Sequence, residues 1–267
     1  MAHRVDHRRR RIPLQIDLKR GLVYFTSTER HSTERHLYSV SVNTGKKTAL
    51  VDDKKPGFWT ASFSDAASYY LLSYNGPEIP YQELYNVNST KPLSTVNNNA
   101  VLKAKLSTYS LPVVAYSTLK HPSGFELNVR EVLPANFNPR KKYPVLFAPY
   151  GGPGAQEVSK SYYKVGYKSF LGSDPELQYI IVTVDNRGTG FKGREFRSLV
   201  AGQLGNLEAQ DQVWAAKIWA AKPYVDSEHI AIWGWSYGGY LSAKVVELDS
   251  GVFTLGLSTV SSFKLHV

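Results

Sequence analysis

Short apolar runs with partial alternation dominate the first half of the chain. RGLVYFTSTE (residues 20–29), RHLYSVSVNTGKKTALV (35–51) and SYYLLSYNGP (68–77) are rich in β-branched and aromatic residues. Leu37, Val40 and Val42 mark the alternation within the second run. This spacing predicts short half-buried strands, with Asn43, Thr44 and Gly45 as a turn. YQELYNVN (81–88) continues the pattern. Such a series fits part of a propeller or a sandwich, and it holds too few strands to close a propeller of at least four four-stranded blades.

Residues 89–110 are polar, with Asn97, Asn98 and Asn99 in a row, and predict a short helix or a linker. FELNVREVLPANF (125–137) predicts a strand with a proline at its exit. From Lys142 the texture changes. KYPVLFAPYGGPG reads as a buried strand running into a glycine-rich loop, and YIIVTVDNRGTG (179–190) as a nearly continuous apolar strand of the kind covered on both faces. In EAQDQVWAAKIWAAK (208–222), Trp214, Ile218 and Ala221 recur at helical spacing before Pro223. IAIWGW is a third strand, YGGYLSAKVVEL (237–248) its helix, and VFTLGLSTV (252–260) a fourth strand. Strand and helix alternating in this way predict an α/β fold with a parallel sheet. The expected organisation is a disordered basic tail over 1–15, a β region over 16–110 and an α/β domain over 111–267, with the boundary between residues 95 and 140.

Composition alters this picture little. The chain has 267 residues, 42% of them hydrophobic and 20% charged, which is ordinary for a globular protein. No run approaches 18 apolar residues, so no membrane-spanning helix is expected, and MAHRVDHRRRRIP lacks the apolar segment of a secretory signal. Of the formal charge of +10, +4 falls in residues 1–11. An arginine cluster of that kind is a weak nucleic-acid signal, and no nucleic-acid-binding module accompanies it, so no nucleic-acid partner is expected. The absence of cysteine excludes disulfides, thiolate catalysis and cysteine-based zinc sites. Asn88-Ser89-Thr90 is a glycosylation acceptor sequence, meaningful only in a chain that enters the secretory route.

The chemistry concentrates in Gly234-Trp235-Ser236-Tyr237-Gly238, between a predicted strand and a predicted helix. This is the form of a nucleophile elbow, a strained corner that lifts a serine hydroxyl above an α/β-hydrolase sheet. The following backbone amide, Tyr237 N–H, would stabilise an oxyanion. Upstream, Pro149-Tyr150-Gly151-Gly152-Pro153-Gly154 follows a strand. By itself it reads either as a turn with a packing tyrosine or as a loop offering a phenolic donor.

GWSYGGY, VDNRGTGFKGREF, LGNLEAQDQVWAAK and FAPYGGPG together resemble the dipeptidyl peptidase IV family of the prolyl oligopeptidase group of serine peptidases, most closely its fungal dipeptidyl aminopeptidases. The resemblance covers roughly residues 20–260, and TSTERHSTERHLYSV is similar to the last propeller blades before the hydrolase domain. It implies an α/β chain: a partial α/β-hydrolase domain preceded by all-β strands resembling the last blades of a β-propeller. It implies that Ser236 is the acylating nucleophile, that Tyr150 hydroxyl and Tyr237 N–H form the oxyanion hole, and that Trp235 shapes the substrate pocket. Arg187, Gly188, Gly190, Glu208 and Asp211 match family positions read as architectural, and Asp185 is not the catalytic acid. The implied substrates are peptides with Pro or Ala in the second position, with no cofactor or metal. The complete protein is expected to be membrane-anchored or secreted and to form homodimers.

The order nucleophile, acid, histidine in this fold leaves only Asp249, Glu247 and His266 after Ser236. Asp249 falls too soon after the helix, and His266 belongs to a tail that departs from the family after about Val260. His121 and His229 are expected far from Ser236. The expectation is therefore a piece of a serine dipeptidyl peptidase truncated at both ends and inactive alone, with an exposed sheet edge that favours aggregation. Two alternatives stand beside it: a non-catalytic binding module of the same family, and a generic esterase.

Overall fold

The computed structural model describes residues 11–259. They form two compact units, one reaching to Tyr109 and reclaiming Ser159–Lys164, the other made of the remaining residues from Ser110 onward.

The first unit contains two four-stranded antiparallel meanders. Strands β1 (Arg11–Asp17), β2 (Leu22–Ser27), β3 (His36–Ser41) and β4 (Lys47–Ala49) make one. β5 (Trp59–Phe63), β6 (Tyr69–Tyr74), β7 (Tyr81–Asn86) and β8 (Ser94–Asn97) make the other, followed by α1 (Ala100–Leu106). These are sheets of the propeller-blade type. Gly45 takes φ 70° in the expected turn, which lets its N–H reach Ser41 O and close the β3–β4 hairpin. Leu37, Tyr70 and Leu72 are buried at the centre of this unit, and Tyr70 stacks between Phe63 and Tyr85 at 5.2 and 5.1 Å. Asn88 is exposed in the turn after β7.

One expectation needs correction. The basic tail assigned to residues 1–15 overlaps β1, which pairs with β2 from Arg11 onward; residues 1–10 lie outside the described residues. Arginine and proline hid this strand from a composition-based reading. Pro13 stands on a sheet edge beside a register shift, where the ladder does not need its missing N–H. The return of Ser159–Lys164 was also invisible in the sequence. Lys160 N–H bonds to Thr33 O, Lys160 Nζ pairs with Glu34 at 2.9 Å, and Tyr162 N–H bonds to Asn75 O.

The second unit is built on a six-stranded sheet in the order β14-β13-β11-β12-β10-β9. Its strands are β9 (Val113–Lys120), β10 (Glu126–Leu133), β11 (Tyr143–Phe147), β12 (Ile180–Asp185), β13 (Val225–Trp235) and β14 (Leu255–Thr259). β9 and β10 form an antiparallel hairpin, and β10 meets β12 antiparallel. β11, β12, β13 and β14 run parallel, as their apolar runs predicted. The helices are α2 (Tyr167–Ser173), α3 (Arg194–Ser198), α4 (Asn206–Ala220) and α5 (Tyr237–Glu247).

Val145, Phe147, Ile180, Val182, Ile230 and Ile232 from the three central strands are fully buried. Each such side chain contributes about 1.5–3 kcal/mol on leaving water. Trp219 of α4 meets Phe147 edge-on at 5.9 Å, and its indole N–H donates to Glu131 at 2.8 Å. The largest core side chain is thereby satisfied at its polar end. β11 and β13 run into the loop of Tyr150 and the turn at Ser236, and β12 ends at Asp185, at the end of an open α/β sheet where ligands bind. Among the described residues, no helix is long and apolar enough to cross a membrane.

Candidate active site

Ser236 joins β13 to α5 with φ 58° and ψ −124°. A side chain at such a φ is strained, and strain of this kind gathers at functional sites where the surroundings enforce it. The surroundings here are backbone. Ser236 N–H donates to Thr259 O at the end of β14, and Ser236 O accepts from the N–H groups of Gly239 and Tyr240. A Cβ added to Gly234 would overlap the Gly238 carbonyl, one on Gly238 would overlap the Pro149 carbonyl, and one on Gly239 would overlap Thr259 O. The three glycines thus let the elbow, the loop after β11 and the end of β14 close on one another.

The loop after β11 carries Tyr150. Gly151 takes φ 71°, and any side chain there would strike Asn186 and Leu241. Asn186 Nδ2 donates to Gly151 O at 3.0 Å, while Asn186 Oδ1 accepts from Gln212 Nε2 at 3.0 Å. Gln212 also donates to Val184 O. This buried chain of amides fixes the Tyr150 loop to β12 and α4. The Tyr150 ring lies 6.2 Å from that of Tyr237.

Tyr237 points its phenol away from the elbow, donating to Glu208 Oε1 at 2.8 Å. Burial, then the bond to the Glu208 carboxylate, pushes this phenol far above the usual tyrosine range. It stays neutral, and its backbone N–H occupies the first position of α5. That N–H has no carbonyl one turn earlier to accept it. Trp235 precedes the serine and is 65% exposed. Trp233, Gly234, Trp235 and Ser236 line a cavity of about 420 Å³ together with Tyr150 and Lys168.

Around this site the acidic and basic residues divide into structural and unassigned groups. Arg187 grips Asp211 through Nε and Nη2 at 2.9 and 2.6 Å, and Arg187 N–H adds a third bond. His121 Nε2 stands 3.4 Å from the same carboxylate, its ring edge-on to Trp214 at 4.6 Å. His229 pairs with Asp226 at 2.8 Å near the start of β13, about 23 Å of strand before Ser236. Asp185 accepts from Glu157 and Val158 N–H. Among the described residues, no hydrogen bond reaches Ser236 Oγ. Asp249 follows α5 in a left-handed conformation; His266 is outside the described residues.

Ser236, Tyr150, Tyr237 and Trp235, singled out in the sequence, are thus neighbours. Asn186 and Gln212, which anchor the Tyr150 loop, were not anticipated. Their only sequence signal was polarity inside segments whose neighbours are apolar, as in VTVDN and DQVWAA.

Comparison with known proteins follows the same division. Residues 173–266 match the Prolyl oligopeptidase family, and residues 9–81 match the Dipeptidyl peptidase IV (DPP IV) N-terminal region. The probable dipeptidyl peptidase 4 of Aspergillus clavatus is 61% identical over 255 residues, covering 95% of this chain and 33% of that protein. Dipeptidyl peptidase 4 of Trichophyton tonsurans is 59% identical over 256 residues, with the same coverage. The crystal structure of Porphyromonas gingivalis dipeptidyl peptidase 4 superposes with a TM-score of 0.83 at 33% identity, over 90% of this chain and 33% of that one. The chain therefore spans about a third of the length of the relatives it matches, and across that span it belongs to the dipeptidyl peptidase IV branch of the prolyl oligopeptidase family.

Proposed function

We propose that this chain carries the acyl-transfer elbow of a serine dipeptidyl peptidase, which releases X-Pro or X-Ala dipeptides from the N-terminus of peptides. The observation that carries the reading is Ser236 held at φ 58° between the loop of Tyr150 and the first N–H of α5. In this reading Ser236 Oγ attacks the carbonyl carbon of the second substrate residue, losing its proton to a base as the Oγ–C bond forms. The carbonyl electron pair moves onto oxygen, where Tyr150 hydroxyl and Tyr237 N–H donate to it. Collapse of that anion breaks the C–N bond, and the departing amine takes up a proton. Water then hydrolyses the acyl ester. Trp235 forms a wall for the bound peptide.

Among the described residues no base is hydrogen-bonded to Ser236 Oγ. A serine hydroxyl is a weak nucleophile until an oriented base accepts its proton. In the unit that carries Ser236, the described histidines His121 and His229 are engaged with Asp211 and Asp226. Without an oriented base turnover falls by about 10⁴-fold or more, leaving what the oxyanion hole and binding supply. The chain alone is accordingly expected to acylate slowly. The same observation supports a second reading, a module that binds peptides at the elbow without cleaving them.

An activated Gly-Pro ester separates these readings. Mass spectrometry is expected to find one glycyl-prolyl group on the peptide containing Ser236, absent from Ser236→Ala, while a Gly-Pro anilide is hydrolysed barely above background. Acylation spread over other serines, or none, would reject the catalytic reading. Binding of the ester without acylation would favour the module.

A further inference from the structure

Among the described residues, Lys168 is the one cation lining the cavity beside Ser236. It sits in the first turn of α2, half-buried, with its ammonium 5.6 Å from the Trp233 ring. Among the described residues it forms no salt bridge and no hydrogen bond, so its charge is directed at aromatic carbon and at the open space of the cavity. Burial and the neighbouring charge of Arg130 pull its pKa down, and Glu157, also in the cavity lining, only partly offsets them. Glu157 does not approach within ion-pair distance. The more strongly felt neighbour is the cation, so the electrostatic environment of this ammonium lacks a matching anion. Removing a charge from water without pairing it costs free energy, and a ligand carboxylate would recover that cost.

Resting on the reading of Ser236 as a peptide site, we infer that Lys168 makes this cavity selective for the carboxylate of a bound peptide. The cavity has the composition such a subsite needs. Trp233, Trp235, Pro149 and Tyr150 supply apolar wall, and the Lys168 ammonium supplies the positive charge that orients an anionic group. The carboxylate has two chemical sources: an acidic side chain, or the free C-terminus of a short peptide. Lys168 is a specificity-determining residue in this assignment, with no part in the proton transfers of acylation.

Equilibrium binding to the whole chain tests this without requiring turnover. The probes are Gly-Pro-Asp amide against Gly-Pro-Asn amide for a side-chain carboxylate, and Gly-Pro-Ala against its amide for a C-terminal one. Calorimetry would read each with the parent chain, Lys168→Met and Lys168→Arg. At least one acidic member is expected to bind about tenfold more tightly than its neutral partner, the scale of one charge-assisted hydrogen bond, about 1.4 kcal/mol. That preference should vanish in Lys168→Met and survive in Lys168→Arg. Which pair shows it identifies the source. Equal binding of acidic and neutral peptides, a preference that persists in Lys168→Met, or no peptide binding would overturn the assignment. A Lys168-dependent preference in a chain whose Ser236 is never acylated would keep this inference and reject the peptidase reading.

Discussion

Tyr237 hangs its phenol on Glu208, a carboxylate with no exposed surface. The bond runs from the first residue of α5 to the first turn of α4 and ties the backbone after Ser236 to the helix behind it. Glu208 Oε2 is buried and, among the described residues, has no hydrogen-bond partner. This pair is therefore sensitive to which member is changed.

Glu208→Gln keeps an oxygen for the Tyr237 hydroxyl and removes the buried charge, so its stability in urea should stay within about 1 kcal/mol of the parent. Tyr237→Phe leaves the carboxylate buried without its donor and should cost about 3 kcal/mol or more. Equal losses from the two substitutions would show that the hydrogen bond is not what holds the pair.

Two glycine substitutions distinguish close packing from backbone freedom. A Cβ on Gly238 would overlap the Pro149 carbonyl, which is backbone and cannot rotate away. A Cβ on Gly45 meets nothing within 4 Å, although its φ of 70° strains any side chain. Gly45→Ala should cost about 1 kcal/mol from conformation alone. Gly238→Ala should cost about 1–3 kcal/mol from the clash and should also disturb the loop of Tyr150. Thermal unfolding monitored by tryptophan fluorescence checks both.

Asp185 gives a dependence on pH. Its carboxyl is fully buried, and burial raises its pKa to about 6 from 3.8, despite the N–H groups of Glu157 and Val158. The folded chain thus holds this proton more tightly than the unfolded chain does. The stabilisation it brings is complete below pH 4, falls as pH rises from about 4 to about 6, and is gone above that. Two pKa units correspond to about 3 kcal/mol. His121 opposes this, because its burial lowers its pKa and disfavours the folded state as it gains a proton below its unfolded value of 6.5. The difference in unfolding free energy between the parent and Asp185→Asn, measured from pH 4 to 7, isolates the aspartate. A difference that does not change with pH would contradict the assignment.

Much of this was legible because its signals are local. The parallel strands read from their apolar runs, and the elbow read from five consecutive residues, although of its two glycines only Gly234 is required by a contact within the motif and Gly238 is required by the Pro149 carbonyl. The blade-like sheets were less distinct, and β1 was missed because Arg11 and Pro13 disguise an edge strand. The anchoring of the Tyr150 loop was not legible at all. Gly151, Asn186 and Gln212 come from three separated segments, and a polar helix position such as Gln212 looks solvent-facing until the fold turns it inward. The same holds for Glu208, whose partner lies 29 residues away.

The proposed placement of Ser236 between two oxyanion donors is tested most directly by its rate of labelling with a fluorophosphonate, located by peptide mapping. The parent is expected to take one label, on Ser236, and Ser236→Ala none. Tyr150→Phe should slow the labelling about a hundredfold, the cost of one donor in an oxyanion hole. Labelling that ignores Tyr150, or that falls on other serines as readily, would contradict it.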